Sequence, residues 1–171
     1  MLFRSTNKVL SVLVYNHSGV LARVSSLFAR RGFNIDSLTV SATNDPEISR
    51  ITISVRGDAQ VIDQILSQTF KLEETRTVFC LEEGKSLFRE LLLVKVKATE
   101  TTRSAISEVA RIYGGHVVDL SVGSMIVELT GIPTKIDAFL NVIGEYGILE
   151  MCRTGVTALE RGTPAEHRCK E

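Results

Sequence analysis

The sequence predicts an α+β chain made of one β-α-β-β-α-β unit used twice in tandem. Three observations carry that reading. Short apolar runs alternate with a period of two, and between them apolar residues recur every three to four positions. The order then repeats: Gly114 follows Gly32 by 82 positions, while Gly131 and Asp137 follow Gly57 and Asp63 by 74. The pair Arg76-Thr77 also returns as Arg153-Thr154. A fixed-spacing repeat is the mark of one structural unit used again. A unit of this order within ~75 residues is the ferredoxin-like arrangement. The fold class is therefore α+β, two tandem ferredoxin-like βαββαβ units, with the second copy shortened in its central hairpin.

The first strand is Val9 to Tyr15, an alternating run. Asn16-His17-Ser18-Gly19 is a tight loop, after which Val20, Leu21, Val24, Leu27 and Phe28 fall on one helical face. Gly32 ends that helix as a left-handed cap. Phe33, Ile35, Leu38 and Val40 form a second strand, and Thr43 to Glu47 a turn cluster. Ile51, Ile53 and Val55 alternate into a third strand stopped at Gly57-Asp58. A short helix follows through Val61, Ile62, Ile65 and Leu66, then a strand from Glu74 to Leu81. A polar break at Glu82-Glu83-Gly84-Lys85-Ser86 separates the copies.

The second copy reads as Leu91 to Val96 (strand), Ile106 to Tyr113 (helix), Val117 to Val122 and Met125 to Leu129 (strands), Pro133 to Tyr146 (helix) and Ile148 to Leu159 (strand). The expected domains are residues 8–82 and 89–160, with a linker over 83–88 and a flexible tail over 161–171. Each copy leaves an open sheet face and edges to cover, which favours oligomer formation.

Composition excludes several functions. Lys plus Arg equals Asp plus Glu at 20 each, so there is no electrostatic footprint for nucleic acid or an anionic membrane. Aromatics are 6% of residues, too few for a base-stacking sheet face. Cys80, Cys152 and Cys169 lack a C-x-x-C, and His17, His116 and His167 are scattered, which argues against zinc. Cys80 and Cys152 fall in strands and are expected as buried free thiols. The first apolar run is too short to span a bilayer, and no cleavage pattern follows it. The chain reads as cytoplasmic.

No catalytic constellation emerges, and phosphate-loop, nucleophile-elbow, H-E-x-x-H and G-x-G-x-x-G patterns are all missing. The binding chemistry is concentrated in Asn16 to Gly19, which delivers backbone N–H groups to a helix N-terminus suited to a small carboxylate or phosphate. The same residues also make a good turn and N-cap. At the equivalent place the second copy has Ala98-Thr99-Glu100-Thr101, so a strand-to-helix turn alone does not require the asparagine or the glycine. Asn34, at the head of an apolar strand, carries an acceptor and two donors, the chemistry for a zwitterionic amino acid, and from position alone it equally suits the exit turn after the helix.

The blocks Val9 to Val24, Phe28 to Val40 (with Arg31-Gly32-Phe33-Asn34-Ile35), Ser49 to Ile53, Arg89 to Val96 and Arg153 to Val156 resemble an ACT domain and, more narrowly, the small regulatory subunit of acetolactate synthase. The resemblance covers residues from about Lys8 to Gly162. It implies an N-terminal ACT domain with an ACT-like second domain and no catalysis in this chain. A separate catalytic subunit would carry thiamine diphosphate, magnesium and FAD. It further implies a homodimer through the ACT domains, activation of the partner, and feedback by valine, leucine or isoleucine. Carried over by motif, Asn16, His17, Ser18 and Gly19 with Val20 and Leu21 would hold the amino acid from one protomer, and Asn34 and Ile35 from the other. The family often has an acidic residue or lysine at position 17 and proline at 18, so His17 and Ser18 depart from its pattern. A stand-alone amino-acid sensor, or an enzyme using His17 or Cys80, is the competing expectation.

Overall fold

The structure is a computed structural model, and it describes residues 6–163 and 166–170. Two compact units form. The first comprises the chain up to Leu87 together with the residues from Val156 onward, and the second is Phe88–Gly155.

In the first unit the elements are β1 (Thr6–Tyr15), α1 (Val20–Arg31), β2 (Ile35–Ala42), β3 (Ile48–Gly57), α2 (Ala59–Lys71) and β4 (Thr75–Leu81). They form an antiparallel sheet in the order β2-β3-β1-β4. One face buries Leu10, Val12, Val14, Ile51, Ile53 and Val55 against Val20, Val24 and Phe28 of α1 and Ile62 and Ile65 of α2. Gly32 has φ 68°, and its amide reaches the Ala29 and Phe28 carbonyls to close α1. Asp58 caps α2 by accepting from the Val61 amide at 2.9 Å.

The second unit repeats the order with β5 (Ser86–Lys97, its first two residues counted in the first unit), α3 (Arg103–Ile112), β6 (His116–Leu120), β7 (Ser124–Gly131), α4 (Pro133–Ile143) and β8 (Ile148–Arg153). A one-turn 3-10 helix, Gly144–Tyr146, separates α4 from β8. Its sheet order is β6-β7-β5-β8. Leu92, Val94, Val96, Met125, Val127 and Leu129 pack on Ile106 of α3 and Ile136, Phe139 and Ile143 of α4. Both units are thus the expected ferredoxin-like fold.

The chain departs from the sequence reading after β8. A single strand from Ile148 to Leu159 is expected, but pairing stops at Arg153 and a new strand, β9 (Thr157–Glu160), forms in the first unit. Gly155, at φ 83°, makes the turn between them. Beyond it the chain lies on the first sheet's outer face: the Val156 amide donates to Ser37 Oγ, Thr39 Oγ1 donates to the Val156 carbonyl, and Val156 and Ala158 are buried. The expected boundary at 160 therefore shifts to Gly155. Arg161–Thr163 and Glu166–Lys170 of the expected tail also belong to the first unit, while residues 164, 165 and 171 lie outside the described residues. The open face of the first sheet is covered by the same chain.

The cysteines separate by environment. Cys80 is half-buried, whereas Cys152 is exposed because it pairs with Leu93 on the uncovered face of the second sheet, contrary to the expected burial. Burial pushes the Cys80 thiol up, with Lys8 opposing and Glu82 adding to it. At pH 8, iodoacetamide is expected to modify Cys152 and the exposed Cys169 before Cys80, in an order read by peptide mass spectrometry. Cys80 reacting first would contradict this packing.

Among the described residues no helix is long and apolar enough to cross a membrane, and no His/Cys/Asp/Glu cluster could hold a metal ion.

Candidate functional site

The loop between β1 and α1 is tied to the first unit from two sides. The Tyr15 amide donates to the Glu74 carbonyl at 2.9 Å, and the Asn16 amide to the Glu47 carbonyl at 2.7 Å. Asn16 Nδ2 donates to the Pro46 carbonyl at 3.0 Å, so the asparagine side chain holds the loop to the β2–β3 turn and keeps its Oδ1 free of that contact. The Glu74 carboxylate forms an ion pair with Arg23 of α1. Tyr15, Arg23, Pro46, Glu47 and Glu74 therefore support the loop, a role the sequence pattern assigns to none of them. The only local signal is the acidic pair Glu73-Glu74 beyond an amphipathic helix. Its partner Arg23 is 51 residues away.

Gly19 rather than Ser18 occupies the N-cap of α1, at φ 87° and with no side-chain cap. The cap among these turn residues is thus the glycine, which has no side chain to offer the first turn. The Arg23 amide closes the first helical bond on the Gly19 carbonyl at 3.0 Å. The amides of Val20 and Leu21 thus belong to a first turn without an acidic residue, at the positive end of a helix carrying Arg30 and Arg31 in its last turn. A Cβ at position 19 would meet no atom of the chain within 4 Å. A cleft of about 530 Å³, the size range of small-molecule sites, is lined by Tyr15, His17, Ser18, Gly19, Arg23, Glu73 and Glu74.

The structure brings Asn16, His17, Ser18, Gly19, Val20 and Leu21 together but not Asn34 and Ile35. Tyr15 pairs with Ile48 at one end of β3, and Ile35 pairs with Val55 at the other. Seven residue-to-residue steps along β3 separate the two places, about 23 Å at the usual rise. Asn34 is exposed and donates to Asp36 Oδ1 at 3.4 Å. One copy of this unit cannot place Asn16 and Asn34 on the same small molecule.

Comparison with known proteins gives consistent matches over the whole fold. The family described as "AHAS small subunit-like ACT domain" matches residues 10–77, and "Small subunit of acetolactate synthase" matches residues 89–162. The acetolactate synthase small subunit of Mycolicibacterium smegmatis is 47% identical over 153 residues, 90% of each chain. The small subunit of acetolactate synthase isozyme 3 of Escherichia coli is 42% identical over 91% of this chain and 96% of that one. The crystal structure of the acetolactate synthase small subunit of Thermotoga maritima is similar with a TM-score of 0.84, at 36% identity, covering 93% of this chain and 99% of that one.

Proposed function

We propose, because this chain belongs to the acetolactate synthase small-subunit family, that it binds valine or a related branched-chain amino acid between two copies of its first unit. Through that ligand it regulates a separate catalytic chain, activating it and making it sensitive to feedback. The chemistry, on thiamine diphosphate, magnesium and FAD, resides in the catalytic chain, and this one acts by binding alone.

The observation that carries the reading is the separation of Asn16 from Asn34 across one sheet. A second copy is the simplest way to bring an Asn34 and Ile35 to the loop Asn16-His17-Ser18-Gly19. The ligand carboxylate then sits on the Val20 and Leu21 amides at the open N-terminus of α1. The amide side chain of the second copy's Asn34 meets the ammonium or carboxylate. The exposed apolar side chain of Leu21 is available to the ligand's branched carbon.

Regulation follows from linkage. A ligand held by two protomers favours the dimer arrangement in which both halves of the site meet, and it shifts the population only by its differential affinity. The usual coupling is ~1–3 kcal/mol, or ~5–150-fold. Discrimination among valine, leucine and isoleucine is modest, since one methylene is worth ~1–3 kcal/mol in an apolar pocket.

Calorimetric titration with L-valine tests the reading. Asn16→Ala and Asn34→Ala each abolish binding when alone. Mixing the two variants and allowing protomers to exchange regenerates one intact site per heterodimer, because each protomer supplies the half the other lacks. Recovery of binding on mixing is the expected result. Binding that survives in either pure variant, or fails to return in the mixture, refutes a shared site.

A further inference from the structure

The last described residues are not loose. The Lys170 amide donates to the Arg76 carbonyl at 2.9 Å, and Thr77 Oγ1 donates to the Arg168 carbonyl at 2.7 Å, along the outer edge of β4. Lys170 Nζ donates to the Leu72 carbonyl at 2.6 Å, at the C-cap of α2, where a cation complements the helix end. The Arg168 guanidinium and the Lys170 ammonium stand 4.7 and 5.0 Å from the centre of the Phe70 ring. His167 stacks on Phe79 at 3.6 Å and meets Glu160 Oε2 at 2.7 Å. These residues lie beyond position 162, where the family match ends.

The turn they grip is the turn that holds the ligand loop. The Thr75 amide donates to the same Leu72 carbonyl that accepts from Lys170, at 3.0 Å. One residue earlier, the Glu74 carbonyl accepts from the Tyr15 amide, and the Glu74 side chain pairs with Arg23 of α1. Thr69 Oγ1, Glu74 Oε2 and Thr75 Oγ1 are buried without a hydrogen-bond partner among the described residues. Such atoms lose hydration with nothing in return, so this joint is a place where local opening starts.

We propose that Glu166–Lys170 form a strap that clamps the Leu72–Thr75 turn and through it sets the conformation of the Asn16–Gly19 loop, and hence the affinity of that loop for its amino acid. Lys170 is the positioning residue. The affinity half of the proposal rests on the function proposed above, whereas the conformational half does not.

Hydrogen exchange on the full-length chain tests the conformational half without ligand. The Tyr15 amide, bonded to Glu74, is the reporter, with the second unit as internal control. Lys170→Ala and deletion of residues 166–171 are each expected to speed exchange across residues 15–20 and 72–76 by about fivefold or more, with the second unit unchanged. Lys170→Arg restores slow exchange, because a guanidinium also reaches the helix end. L-valine calorimetry on the same variants is expected to show affinity lowered by a factor within the usual ~5–150-fold coupling range. Unchanged exchange at 15–20 in Lys170→Ala overturns the strap, whether or not the deletion variant folds. Unchanged valine affinity in a variant with faster exchange overturns the affinity half. A wild-type chain that binds no valine sinks the proposed function, and the exchange measurement still decides the strap.

Discussion

Gly19→Asp is expected to abolish the proposed response to valine and to leave both units folded. Position 19 has φ +87°, a conformation that costs an L residue roughly 1–2 kcal/mol and that Asp tolerates better than most. The new Cβ meets no atom of the chain within 4 Å, so nothing in the first unit has to move. A carboxylate at the head of α1 is also favoured by the helix terminus, which offsets part of the strain by about 0.3–1 kcal/mol. The fold therefore survives. Binding of the proposed ligand is expected to be lost, because the new side-chain carboxylate would take the place of the ligand's own beside the Val20 and Leu21 amides. Competition and like-charge repulsion together are expected to weaken binding by at least ~100-fold, about 2.7 kcal/mol. Gly19→Ala is the control: it carries the backbone strain without the charge and should bind valine with a smaller loss. Calorimetry and valine inhibition of the reconstituted enzyme read the outcome, and valine inhibition retained in Gly19→Asp would remove the loop from the site.

Arg153→Ala has the largest expected effect on stability, and it acts in the second unit. The Arg153 guanidinium donates to Glu90 Oε2 through Nε at 2.6 Å and to Asp137 Oδ1 through Nη1 at 2.7 Å. It thereby joins β5 and α4 to the end of β8. Burial pulls the arginine down, but its hydrogen bonds to Asp137 and Glu90 outweigh it and hold the guanidinium above its ordinary value, so the charge stays on. Glu90 is only 5% exposed. Removing its cation leaves a buried carboxylate without compensation, a loss of about 3–5 kcal/mol. At ~4–8 °C per kcal/mol for a domain this small, the second unit's melting temperature falls by more than ~12 °C. Arg153→Met with Glu90→Leu is expected to regain most of it, since removing both charges also removes the cost of burying them. Thermal unfolding by calorimetry reads the difference. An Arg153→Ala chain as stable as wild type would show that Glu90 finds water or another partner.

The equivalent arginine of the first unit, Arg76, has no such role. It lies 4.0 Å from Asp45, and both side chains are about half-exposed. The repeat legible in the sequence, Arg76-Thr77 and Arg153-Thr154, therefore reports common descent of the fold and not a common interaction. One member holds a buried carboxylate and the other offers its carbonyl to the strap.

What the sequence determined by itself is local. Alternation at two residues and recurrence at three to four placed the six elements of each βαββαβ unit but not β9, which the sequence pattern runs together with β8. Gly32 ends α1, and Asp58 caps α2, through contacts reaching no more than four residues. The loop Asn16–Gly19 was legible for the same reason, and its contrast with Ala98–Thr101 is what singles it out for the proposed ligand role. The tertiary structure alone decided how that loop is held and what covers the first sheet. Ser11, Thr52, Ser54 and Thr77 are polar side chains alternating with core-facing neighbours, yet they are 0–3% exposed because the chain returns over that face after Gly155. Asn16 reaches Pro46, Arg23 reaches Glu74, Thr39 reaches Val156 and Lys170 reaches Leu72 across 30 to 117 residues of sequence. A hydroxyl or carboxylate carries the same local signal whether it faces water or a returning strand. Its partner is fixed only when the sheets have formed and the chain has closed over them.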